Sequence, residues 1–190
     1  MINQQQKIIS IFEIVRDIPY GVIDKSRNFC SVLENHKGTC SGKHLLLGRL
    51  YELMGIKVKY MMCETRFNFI KIELPEDLQK ILDRKEIIDY HNFIKIRQNS
   101  KWINVDATFD LPLKKYSPAV NHSWNGVFDC QIAFKLVNIF ETKNLKKEKV
   151  RLINFLTNKQ QKEREAFFEK LSNWLDKVRN NTGKKYDKKI

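Results

Sequence analysis

Two runs rich in Ile, Val, Phe and Trp, Asp89 to Arg97 and Lys101 to Thr108, are separated only by the short polar break Gln98-Asn99-Ser100. That pattern predicts a β-hairpin, and a hairpin commits the chain to an antiparallel pair against which everything else must pack. With the turn centred between Gln98 and Asn99, Arg97 faces Ser100, Lys95 faces Trp102, Phe93 faces Asn104 and His91 faces Asp106. Directly opposed residues have Cβ atoms about 4.5–5.5 Å apart, so this register brings an imidazole to a carboxylate. It also gathers Asn92, Ile94 and Ile96 with Ile103 and Val105 on the other face. A slip of one residue would lose both features.

The remaining periodicity is mainly helical. Ile8, Ile11, Phe12 and Val15 recur at helical spacing until Ile18-Pro19 stops them. A short helix is expected around 27–35, broken by Asn35-His36-Lys37-Gly38. A longer helix is expected from Cys40 through Met54, with Thr39 as N-cap, Gly55 as left-handed stop, and Leu46, Leu50, Leu53 and Met54 as its inner stripe. Residues 56–64 read as an inner strand, 67–74 as a second alternating run, and 75–85 as a short surface helix opened by Pro75 and two acids. Residues 131–140 fit a strand or a helix equally. Residues 145–180 read as helical, with a capping box at Thr157 and Gln160 and an inner stripe of Phe168, Leu171, Leu175 and Val178 flanked by Phe167 and Trp174. The fold class is α+β. The expected organisation is a body over 1–142, a helical extension over 143–180 and a basic disordered tail over 181–190.

Chemistry enters at Gly38-Thr39-Cys40. A thiol is a weak nucleophile and its thiolate a strong one. A cysteine in the first turn of a helix meets the positive end of the helix dipole and unpaired backbone N–H groups, which favour the thiolate and can receive an oxyanion. Gly38 lets the chain approach that turn unobstructed. With His91 held by Asp106, the three residues have the parts of a nucleophilic triad. His44, one turn after Cys40, is a rival base. His36, Cys40 and His44 have spacing that invites a metal, but Gly38 separates His36 from the helix, so no metal and no other cofactor is expected.

Four stretches give the chain a recognisable resemblance. They are Phe12 to Tyr20, Gly38 to Ile56, His91-Asn-Phe-Ile-Lys-Ile, and Lys101-Trp-Ile-Asn-Val-Asp-Ala-Thr108. Together they resemble the transglutaminase-like superfamily within the papain-like cysteine-protease fold, over about residues 8–130. The resemblance implies Cys40 as nucleophile, His91 as base and Asp106 as its orienting carboxylate, and Phe93 fits the aromatic position after the histidine. It also implies an aromatic wall or oxyanion donor, for which Tyr20 and Trp124 are the candidates. The implied activity is acyl transfer at a protein or peptide amide, by hydrolysis or by amine transfer. The rival readings are a non-catalytic binding module on the same fold and a nucleic-acid-associated protein using the basic tail.

Composition limits those rivals. The net charge of +13 lies mostly in residues 143–190, which carry 15 Lys+Arg against 6 Asp+Glu. A solvated basic helix explains that distribution, and no nucleic-acid-binding motif accompanies it, so nucleic acid is not expected as a partner. No run is long and apolar enough for a membrane, and the amino terminus lacks a signal core, so a cytoplasmic location is expected. The cysteines at 30, 40, 63 and 130 show no paired spacing and are expected reduced, with Cys30, Cys63 and Cys130 buried. The apolar stripe of the last helix should pack on the body or on a second copy of the chain.

Overall fold

The computed structural model describes residues 3–186. Helices α1 (Gln4–Arg16), α2 (Phe29–Asn35) and α3 (Cys40–Leu53) lead into strand β1 (Val58–Arg66). Helix α4 (Glu76–Arg84), strands β2 (Ile88–Gln98), β3 (Lys101–Val105) and β4 (Val137–Glu141), and helices α5 (Leu145–Asn154) and α6 (Asn158–Tyr186) follow. The sheet is antiparallel, in the order β3-β2-β1-β4. The architecture is α+β, with α3 laid across the central strands. No helix among the described residues is long and apolar enough to cross a membrane.

The hairpin forms, with a different register. Asn99 and Ser100 both have positive φ, 46° and 66°, the signature of a two-residue primed turn whose twist matches the strands. Lys95 therefore pairs with Asn104 and Arg97 with Trp102, two positions from the expected partners. A shift of two preserves the alternation of faces. Ile94 and Ile96 still meet Val105 and Ile103, now as direct partners, and all four are buried. Pairing ends at Ile94–Val105, so Asp106 lies just past β3 and reaches His91 diagonally.

Helix α3 begins at Cys40, ends at Leu53 with Met54 as its C-cap, and gives way to Gly55 with φ +76°. Its buried face differs from the apolar stripe. Leu53 is 81% exposed, whereas Lys43, His44, Leu47 and Tyr51 are buried. Hydropathy misplaces that face because Lys43 and His44 enter the core with every polar atom bonded to backbone. Run 67–74 holds a single 3-10 turn, Phe67–Phe69, and one bridge from Ile70 to Phe134, in place of an alternating strand. The undecided segment 131–140 is irregular at first, and its residues 137–140 form most of β4.

The boundary expected at 142 divides nothing in the fold. Phe167, Phe168, Leu171, Leu175 and Val178 of α6 share one core with Tyr20, Cys40, Phe67, Phe109 and Phe134. The expected capping box of α6 is present, with Thr157 N donating to Gln160 Oε1 and Gln160 N to Thr157 Oγ1. The tail expected over 181–190 is helical through Tyr186. Each added residue gains a helical hydrogen bond, and Gly183 weakens a helix by only about 1 kcal/mol without ending it. The last four positions of that expected tail lie outside the described residues.

Candidate active site

Cys40 opens α3 at 2% exposure. Thr39 has N-cap geometry but leaves the helix uncapped, because its hydroxyl donates to Ser26 O at 3.1 Å instead. Among the described residues the amides of Cys40 and Ser41 have no protein acceptor, as expected of a helix start without a capping side chain. The Ser26 loop lies so close that a Cβ on Gly42 would fall 2.7 Å from Ser26 O. A Cβ on Gly38 would fall 2.9 Å from Val32.

His91 is fully buried and its Nε2 meets Asp106 Oδ2 at 2.8 Å. Asp106 also accepts from the backbone N–H groups of Ala133 (2.9 Å) and Thr108 (2.9 Å). Burial opposes its charge, but His91 and these donors prevail and hold the carboxyl well below the usual range. His91 Nδ1 has no partner among the described buried side-chain atoms. Burial opposes the imidazolium as well, yet Asp106 first and then Cys40 push His91 up to about 9. A ring held on one nitrogen and free on the other is arranged to exchange a proton at the free one.

His44 is excluded as a base by its bonds. Its Nδ1 lies 2.8 Å from Cys40 O and its Nε2 accepts from Ala107 N at 2.8 Å. That pair of contacts fixes the neutral form with the proton on Nδ1 and leaves no nitrogen for a reaction. Burial is the main force driving its pKa down to about 4. Neighbouring Lys43 is equally structural: its buried Nζ donates to Arg16 O, Ile18 O and Thr108 O at 2.8, 2.6 and 2.9 Å. His36, the left-handed C-cap of α2, is exposed and lies outside the helix that bears Cys40. No metal-binding group of side chains occurs among the described residues.

The other wall of the site comes from α5 and α6, which the sequence reading set apart. Lys149 Nζ lies 3.9 Å from Cys40 Sγ and 3.7 Å from Asp89 Oδ1, and donates to Tyr90 O. Arg164 grips Asp89 at 2.7 Å through Nε and 2.6 Å through Nη2. Burial alone would raise the Cys40 thiol. The Lys149 ammonium, followed by His91, outweighs that and brings it down to about 7. The signal for these cations was in the spacing. Leu145, Lys149 and Ile153 share one buried face of α5, and Arg164 stands three and four residues before Phe167 and Phe168 on the inner stripe of α6. A charge at an apolar position of an amphipathic helix marks a buried partner.

A cavity of about 380 Å³ opens on Cys40, lined among others by Tyr20, Arg27, Asp89, Lys149, Arg164 and Phe168. Tyr20 belongs to it. Its backbone is pinned, with N donating to Asp110 Oδ1 and O accepting from Arg179 Nη2. Its ring packs on Phe109 and Phe168, and its buried Oη has no partner among the described residues. Burial, then the nearby thiol, raises its pKa well above the ordinary phenol value, so it is a neutral donor. Trp124 does not belong to this site. It packs 4.6 Å from the Phe12 ring, donates to Phe128 O, and lines a separate cavity with Pro118 and His122. It is a loop anchor because the 109–130 segment needs an apolar residue to fasten it to α1. Of the remaining cysteines, Cys63 and Cys130 are buried as expected, and Cys30 is exposed.

No family model and no curated protein matches the chain. Among solved structures, one described as a TGase is 14% identical over 60% of this chain and 29% of its own, with a TM-score of 0.38. Another, described as a "Putative Cysteine Protease from Cytophaga hutchinsonii", is 19% identical over 72% of this chain and 43% of its own, with a TM-score of 0.37. The chain thus spans less than half the length of either structure.

Proposed function

We propose that this chain carries out acyl transfer at a protein or peptide amide through a thioester on Cys40. One observation carries the reading: His91 is anchored on Asp106 through Nε2, which leaves Nδ1 to the Cys40 thiol at an uncapped helix start. In the resting pair the thiolate faces the imidazolium. The sulfur attacks the amide carbon while the Cys40 and Ser41 amides and the Tyr20 hydroxyl are available to the oxyanion. The imidazolium gives its Nδ1 proton to the departing amine as the C–N bond breaks. Neutral His91 then takes a proton from water or from a second amine, which attacks the thioester carbonyl and releases the thiolate. Hydrolysis is the first reading and amine transfer the second, and both use the same residues. Asp106 orients the ring and stays ionised throughout.

The test is selective alkylation. Iodoacetamide at pH 7.5 should modify Cys40 ahead of the exposed Cys30, and His91→Ala should abolish that preference. Modification of Cys30 first in the folded protein would sink the mechanism.

A further inference from the structure

Three cations, Arg27, Lys149 and Arg164, and three acids, Asp89, Glu165 and Glu169, line the Cys40 cavity, and of the acids only Asp89 is buried. Arg164 is committed to Asp89 by two contacts. Lys149 is committed to Tyr90 O and to the sulfur. Arg27, half-buried on the same wall, makes no hydrogen bond or ion pair among the described residues. The acids Glu165 and Glu169 stand at the exposed side of the cavity and make no ion pair with Arg27 among the described residues. Asp89 and Glu165 act on this partly desolvated guanidinium only at a distance, so no hydrogen-bonded carboxylate offsets its burial unless a ligand supplies one.

We propose that the cavity receives an amide substrate bearing a carboxylate, which Arg27 binds while Cys40 attacks the amide. This rests on the acyl-transfer reading above and adds a substrate class to it. The guanidinium fork matches a planar carboxylate through two parallel hydrogen bonds. Glu165 and Glu169 disfavour a doubly charged group such as phosphate more than a single carboxylate. A volume of about 380 Å³ is near the small end of the roughly 300–1,000 Å³ range of ligand sites. The carboxylate therefore belongs within a residue or two of the scissile amide, as an acidic side chain or as a free C-terminus. Burial, then repulsion from Arg164, lowers the proton affinity of Arg27, which an incoming anion would relieve.

Paired reagents of nearly equal size test this on the full chain. The rate of Cys40 modification by iodoacetate, divided by that by iodoacetamide, should fall about fivefold in Arg27→Gln and be largely kept in Arg27→Lys. Equal ratios in the wild type and Arg27→Gln would overturn the proposal. A second measurement needs no thiol. In Cys40→Ala, N-acetylglutamate α-amide or N-acetylalanine should raise the melting temperature, and N-acetylglutamine α-amide should not. Whichever of the two acids acts distinguishes a side-chain carboxylate from a C-terminal one. No shift with either acid counts against the site, even if iodoacetamide modifies Cys40 as the acyl-transfer reading requires. Failure of iodoacetamide to modify Cys40 would sink that reading, while the melting shifts still decide the carboxylate site.

Discussion

Cys40 stands between two walls, each built on a buried aspartate. On the sheet side Asp106 holds a group that can gain and lose a proton, and two backbone amides hold Asp106 in place. On the helical side Asp89 holds Arg164, a group that never loses its proton, with Lys149 alongside. On the proposed reading the first wall moves charge and the second supplies a fixed field. Carboxylates of the same type serve opposite ends because of what they hold.

Removing the helical wall should have the largest effect. Truncation after Leu156 strips five buried apolar side chains of α6 from the core, each worth roughly 1.5–3 kcal/mol. Their sum is comparable with the whole stability of a domain, about 5–15 kcal/mol, so calorimetry should show no cooperative transition. A shortened chain that melts like the full one would make the helices an independent arm. Next in size, His91→Ala should lower turnover by about 10²–10⁴-fold, and Asp106→Asn by less, because the carboxylate orients a ring that moves the proton itself. Steady-state kinetics on both variants would compare them, and equal losses would mean that the pair acts as one unit.

Lys149→Met tests the second wall alone. Without the ammonium 3.9 Å away, the thiolate loses the cation that does most to stabilise it, and alkylation near pH 7 should slow about tenfold. The two rates should converge above about pH 9, where both thiols are ionised, and Lys149→Arg should recover much of the difference. A variant as fast as the wild type at pH 7 would leave His91 as the sufficient partner. The smallest effect is the pH profile of the intact protein. Cys40 must lose its proton near pH 7 and His91 must keep its own up to about 9, so acylation should rise through the first value and fall through the second. A single rising limb would show that the imidazolium proton is not used.

The sheet wall was legible in the sequence because strand alternation survives a register error of two. His91 and Asp106 keep to one side in either register, although the turn lies at Asn99-Ser100 rather than one step earlier. Tyr20 was named through the resemblance, which asks for an aromatic at the site, and it lines the cavity. Trp124 was not, since an aromatic in an irregular segment looks the same whether it fastens a loop or lines a cleft. The helical wall was hidden because a lysine in a lysine-rich helix looks solvated. Only its position between Leu145 and Ile153 betrays burial, and that position is informative once α5 has something to pack against.

Lys149 also imposes an order in time. During synthesis Cys40, His91 and Asp106 all exist before the residue that completes the field around the sulfur. At about 5–20 residues per second the stretch from Asp106 to Lys149 takes roughly 2–9 s, and α6 comes later still. Through that interval the three residues lack the helices that complete their core, and the thiol lacks its ammonium neighbour. The field that favours the thiolate is thus completed only after the residues on which it acts.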